Sequence, residues 1–320
     1  MTALLAAAAA SAACGPGLRA RRPASAAPSA TDDHDQARIP EEQDDEDVPP
    51  PARPPLATSA VWASPPKAPC ASSLAACSLD GCEKAGSAHA LLNRLKRRTT
   101  DAGGNAITFD AATPVTVADM VALQARAEER ALASRRGLEL TAAQRESLRH
   151  LGAGGLPIGE GDAVRVAGYI VPAVPGVRAS GAHEGGPESV NCRVPKPPGA
   201  PGWTVHDFHI PVTDRPVTLA SGVTECDGVV VEMIPQGRDA HRRWLLKTMT
   251  DAAIHRDLVL FVGPLFYDNE HAPNPDCAHS VDRQPRRASL WEVHPVVEFY
   301  VCASGEMCKV TSKDGWQRID

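Results

Sequence analysis

Aromatic residues are scarce in this sequence. Five Phe, five Trp and three Tyr are spread over 320 positions, too few for a uniformly packed globule of that length. No stretch of ~18 or more apolar residues occurs, so no segment reads as a membrane-spanning helix. Positive charge is not in excess. The 33 Lys and Arg against 39 Asp and Glu leave a net charge of −6, which argues against a nucleic-acid protein held by bulk electrostatics. A phosphate-cradling loop is missing too, since Gly185-Gly186 and the stretch 152–155 lack a following Lys-Ser/Thr. No G-x-S-x-G elbow presents a serine nucleophile. What is abundant is Pro and Gly, 29 and 25 residues, above the ordinary share of about 12%. That excess excludes a compact helical bundle. It points to a polar, Pro-rich segment joined to a smaller fold.

The first residues and the cysteines bear on compartment. Thr2 to Ala13 are almost all small or apolar, and Cys14 follows Ser11-Ala12-Ala13. Such a run reads as an export signal, and a cysteine after two alanines resembles a lipoprotein processing site. Arg19, Arg21 and Arg22 follow closely, which opposes translocation. Removing Cys14 to a lipid leaves eight cysteines: Cys70, Cys77, Cys82, Cys192, Cys226, Cys277, Cys302 and Cys308. In an exported chain eight thiols are most simply four disulfides, with 105 possible pairings. The rival is a thiolate zinc site built on Cys77 and Cys82 with Cys70 nearby. The expectation is a cell-envelope protein, secreted, periplasmic or membrane-anchored as a lipoprotein.

Residues 15–68 carry eleven prolines and the acidic run Glu41 to Asp47. They cannot bury enough apolar surface to offset their ordering entropy and read as a disordered tether. Residues 69–160 read as helical. Leu91, Leu92 and Leu95 share a face, beside the basic Arg94, Lys96, Arg97 and Arg98, read as a solvated helix side. Thr116 with Asp119, and Thr141 with Gln144, form capping boxes. From residue 161 the pattern turns to strands. These are Val164 to Val171, a short one at Ser189 to Arg193, Val205 to Val212, Val229 to Ile234, Leu258 to Tyr267 and Ser289 to Val301. A helical segment, Asp239 to His255, separates the fourth from the fifth. Gly168 and Gly263 interrupt two long strands. The order predicts an α+β, mainly β fold: an OB-like, partly open Greek-key barrel over residues 161–303, followed by a tail at 304–320.

Several segments carry a resemblance. Glu188 to Cys192 (ESVNC), Asp207 to Pro211 (DFHIP), Val229 to Gln236 (VVVEMIPQ), Leu265 to His271 (LFYDNEH) and Ser289 to Val296 (SLWEVHPV) are similar to segments of an uncharacterised family of bacterial proteins. Gly81-Cys82 and Asn93 to Arg97 resemble parts of it as well. The resemblance spans residues 77–302 and implies no activity. It suggests that the tether lies outside the shared unit.

Polar residues within those segments are unusual for strands. Asp207 and His209 lie opposite Phe208 and Ile210; Glu292 and His294 lie opposite Trp291 and Val293; Glu232 interrupts an aliphatic run. Residues i and i+2 of a strand share a face, as two ligands of one metal require. Asp207, His209, Glu232, Glu292 and His294 are therefore candidate ligand-binding residues. His209, Asp268, Glu270, His271 and His294 are candidates for a divalent transition metal such as zinc, manganese or iron. The plain alternative is solvated or cross-strand pairing. Three functions follow as expectations: an envelope binding module, a metal-dependent hydrolase of the phosphodiesterase or nuclease kind, and, disfavoured by charge, an OB-type nucleic-acid binder.

Overall fold

Period-two patterning produces the strands that the sequence anticipates, and glycine decides how they close. A computed structural model describes residues 68–130, 140–174, 180–198, 205–218, 224–238, 240–269, 287–303 and 307–320. They belong to one unit, Ala63–Asp320. Cys14, the expected tether up to residue 67, Glu270, His271 and Cys277 lie outside the described residues.

The strands are β1 (Thr113–Val115), β2 (Ala163–Ile170), β3 (His183–Glu184), β4 (Phe208–Thr213), β5 (Val229–Met233), β6 (Leu258–Tyr267), β7 (Trp291–Val293), β8 (Glu298–Cys302) and β9 (Trp316–Arg318). The helices are α1 (Ala88–Lys96), α2 (Val117–Glu129), α3 (Ala142–Ser147), α4 (Pro235–Arg238) and α5 (Leu246–His255). Five strands close a mixed barrel in the order β2-β4-β5-β7-β6 and back to β2. The β5–β7 contact is parallel, and the other four are antiparallel. β1 adds to β2, β8 and β9 extend from β6, and β3 flanks β4. The fold is α+β, with the barrel closed rather than partly open.

Closure needs close backbone approach. β2 pairs with β6 along nearly its whole length and with β4 only at Tyr169 and Ile170. Gly168 stands at that junction, where a Cβ would lie 2.5 Å from Val212 Cγ1. At Gly263 a Cβ would collide with the Pro295 carbonyl. Both mid-strand glycines therefore mark strand crossings.

The barrel interior is apolar. Phe208, Ile210 and Val212 meet Val229, Val231, Met233, Leu265 and Val293 there, joined by Met120 and Leu123 of α2 and Met249 of α5. α2 and α3 start at Thr116 and Thr141 through the expected capping boxes.

Four local readings change. The stretch Ser289 to Val301 is two strands, not one. Pro295 offers no amide to a ladder, so β7 ends at Val293 and pairing along the same edge of β6 resumes only at Glu298, where β8 begins. Ser189 to Arg193 is a 3-10 turn rather than a strand, with Cys192 and Arg193 at positive φ. Helix α5 starts only at Leu246, because Trp244 is drawn off to donate to the Ile319 carbonyl at 2.7 Å. That contact also fixes the last residues, and β9 lies inside the stretch read as a tail.

The cysteines among the described residues are disulfide-bonded. Cys70–Cys82, Cys77–Cys192 and Cys302–Cys308 are bonded, and Cys226 is disulfide-bonded too. The zinc reading of Cys70, Cys77 and Cys82 is thereby replaced by cross-links. By loop length, Cys77–Cys192, which spans 115 residues, constrains the unfolded chain by about 5 kcal/mol, whereas the six-residue Cys302–Cys308 contributes about 2 kcal/mol. Such cross-links belong to an oxidising, extracytoplasmic environment. No helix among the described residues is long and apolar enough to cross a membrane.

Candidate metal centre

The strand face opposite the apolar interior carries the polar residues. Register aligns them. His209 of β4 is the direct cross-strand partner of Glu232 of β5. Val231 pairs with Val293 of β7, so Glu232 comes level with His294, one residue further on. The result is a row of imidazole, carboxylate, imidazole across three strands. Asp207 enters from just before β4, Glu292 from β7, and Asp268 from the end of β6.

All of them are buried; Asp207, Asp268, Glu292 and His294 are fully so. What seals the outer face is the segment around α1 and the turn at Ser189–Asn191. Cys77–Cys192 ties the two together. Gly81, at positive φ, presses against the Ser189 carbonyl, where any side chain would collide. Asn93 donates to the Asp80 carbonyl at 2.8 Å and to Ser189 Oγ at 3.1 Å. The expected basic face of α1 is therefore only partly solvated: Arg94 stays exposed, while Lys96 does not. Lys96 is 3% exposed and reaches Glu188 at 3.4 Å, and Arg97 donates to the Ser78 carbonyl at 2.6 Å.

Distances show a cluster that its own members do not satisfy. His294 Nδ1 lies 3.1 Å from Glu232 and 3.4 Å from Glu292. His209 Nε2 lies 3.4 Å from Glu188 and 3.5 Å from Glu232. Asn191 donates to Asp207 Oδ1 at 2.9 Å and accepts from Gln236 Nε2 at 2.9 Å. That amide bridge fixes one oxygen of Asp207 and leaves the other. Among the described residues, Asp207 Oδ2, both oxygens of Glu232, and Nε2 of His209 and His294 have no hydrogen-bond partner of good geometry. Buried polar atoms are ordinarily satisfied, so each exception asks for a missing ligand.

Burial opposes every charge here, and neighbours decide the outcome. Burial pulls the His294 imidazole down, but Glu232 and Glu292 outweigh it and lift it to about 10. His209 rises to about 9 in the same way, under Glu232, Glu188 and Asp207. Glu232, flanked by both imidazoles, is held well below the usual carboxylate range despite its burial. Burial and then Glu188 push Asp207 up to about 6, against the pull of His294 and Asn191. Glu188 falls to about 2 because Lys96 and His209 overcome its burial. Burial and Glu232 raise Glu292 against the opposing pull of Arg287. Protons on the two imidazoles thus hold Glu232 as a carboxylate, and a divalent cation would take over that role.

The donor set suits such a cation. Asp207, Glu232 and His294 each offer an atom within 4.8 Å of the other two. Ligands ~2.0–2.2 Å from one zinc-like ion need little movement from that spacing. Two carboxylates and an imidazole fit zinc, manganese or iron. A second trio, Glu232, Asp268 and Glu292, is equally close, but Arg287 pairs with Glu292 and stands 4.0 Å from Asp268.

All five ligand-binding candidates from the sequence converge, with Asp268 beside them. Three contributors were missed: Glu188 and Asn191, both in ESVNC, and Arg287. The resemblance was the available signal for the first two, since each of the five longer segments that carry it places a side chain at this cluster. Comparison with protein-family models, curated proteins and solved structures finds no match for the chain.

Proposed function

We propose that this chain is an extracytoplasmic binding module whose barrel holds one divalent transition-metal ion through Asp207, Glu232 and His294. The observation that carries the reading is the set of buried ligand atoms on those three residues that have no hydrogen-bond partner among the described residues. Metal analysis of the purified full chain tests it. One equivalent of zinc, manganese or iron is expected after dialysis, and it should be lost in Asp207→Asn and in His294→Ala. A wild-type chain that retains no metal and takes up none sinks the reading.

The barrel is OB-like in our reading. Its strand order, with the third strand parallel to the fifth and α5 between the third and fourth, supports that assignment, as does a first strand shared at a glycine. Fold alone assigns no function. The bases of α1 engage the cap, which leaves the nucleic-acid reading without a phosphate-binding surface from that helix.

A metal-dependent hydrolase is the second reading. His209 favours it, because its Nε2 has no hydrogen-bond partner among the described residues and it is the most exposed of the six at 7%. It stands next to Glu232, and a cation that took over the role of its proton would leave the imidazole neutral and able to serve as a general base beside the ligands. Metal-dependent hydrolysis of an activated phosphodiester, abolished in His209→Ala, is the expected result. Inactivity of the metal-loaded chain on phosphate esters removes this reading and leaves the binding module.

A further inference from the structure

Among the described residues four arginines are buried: Arg145, Arg165, Arg238 and Arg287. Arg238 donates to the His206 carbonyl and stacks on Phe208; the other three invite comparison. Arg145 donates to Glu160, to the Tyr267 carbonyl at 2.9 Å and to Asn269 Oδ1. Arg165 donates to the carbonyls of Val310 and Phe109, each at 2.6 Å, and to that of Ala112. Both guanidinium groups are spent on the protein. Arg287 is the most deeply buried of the three, at 1% exposure, and it is spent on one side only. Its Nη1 donates to Glu292. Its Nε and Nη2 have no hydrogen-bond partner among the described residues.

Those two nitrogens form one edge of the planar guanidinium. Their N–H groups are parallel and match two oxygens of a single oxyanion. Burying such donors without an acceptor is costly, more so on a charged group. The edge belongs to the metal cluster: Arg287 pairs with Glu292 and stands beside Asp268, and both are grouped with Glu232, the residue shared with the metal trio. Within this cluster both oxygens of a buried carboxylate, Glu232, and two nitrogens of a buried guanidinium lack hydrogen-bond partners among the described residues. A metal on one side and an anion on the other would satisfy both.

We infer that the Nε–Nη2 edge of Arg287 seats a tetrahedral oxyanion, a phosphate or the phosphoryl end of a phosphate ester, that also reaches the metal. Geometry selects phosphate over carboxylate. The guanidinium edge takes two oxygens, which exhausts a carboxylate, whereas a phosphoryl group has a third to offer the metal. The inference rests on the metal reading and extends it to the class of ligand.

Calorimetric titration of the metal-loaded full chain with inorganic phosphate, after removal of unbound metal, is the test. Metal content is measured on the same samples. One phosphate per chain is expected, and acetate should bind at least tenfold more weakly. Arg287→Lys keeps a cation against Glu292 but loses the planar edge; it should weaken phosphate binding at least tenfold with one metal still bound. Should that variant fail to fold, the charge-neutral pair Arg287→Gln with Glu292→Gln replaces it, with the same expectation. Phosphate affinity unchanged in a metal-bearing variant overturns the inference. So does a wild-type chain that carries its metal and takes up no phosphate, and this second result leaves the metal reading standing. A chain without metal overturns both.

Discussion

Two buried ionic clusters among the described residues differ in how they are finished. At α3 and the end of β6, Arg145 and Glu160 form a salt bridge between side chains 6% and 4% exposed. Glu160 also accepts from the Tyr267 amide at 3.2 Å, and Arg145 bonds Tyr267 and Asn269 besides. Every contact closes within the protein. On the outer barrel face, Asp207, Glu232 and His294 are at least as buried, yet Glu232 has neither oxygen hydrogen-bonded among the described residues. Burial of charge is common to both and so says nothing about function. What distinguishes them is satisfaction. A closed network braces the chain; an open one is shaped around something else.

That contrast breaks most readily at the closed cluster. Removing one partner of a buried, hydrogen-bonded pair costs about 3–5 kcal/mol, because the other charge remains. Arg145→Ala should therefore lower stability by that amount in urea unfolding, with or without metal in the buffer. A loss that vanished on metal addition would mean that the two clusters are not distinct in kind. At the open cluster the expected pattern is reversed. Asp207→Asn removes a buried negative charge and should cost the metal-free chain little. It should abolish the rise in melting temperature that metal gives the wild type, worth about 4 kcal/mol at a metal concentration a thousand times the dissociation constant. The smallest effect separates ligand from support. Asn191→Ala leaves the three ligands in place but frees Asp207 to turn. Its metal affinity should fall by about 10–100-fold, the usual cost of losing a ligand's orienting partner. Competition with a chromogenic chelator measures that, and unchanged affinity would show that Asp207 needs no amide to hold it.

Much of the barrel was legible because period-two burial is written locally. Phe208, Ile210 and Val212 point one way and His209 the other, as the alternation demands. The polar half of each strand was legible as a candidate site for the same reason. Ser289 to Val301 misled because its alternation continues through Pro295, while the chain there leaves the β6 ladder and rejoins it with two extra residues in between. Lys96 misled because a basic helix face ordinarily meets water, and here a carboxylate from 92 residues later draws it under the cap. Arg287 carried no local signal at all. Its role depends on which atoms remain unpaired, and pairing is a property of the folded neighbourhood.

The sequence alone determined that strands follow helices in the described unit, that the cysteines would cross-link, and which side chains share a strand face. These are matters of period, count and neighbour, which chain-local chemistry dictates. Tertiary structure decided that β5 and β7 lie side by side, that His209, Glu232 and His294 form one row, and that a disulfide-tied cap covers them. Those outcomes depend on register between strands far apart in the chain, where a shift of one residue would send every side chain to the opposite face.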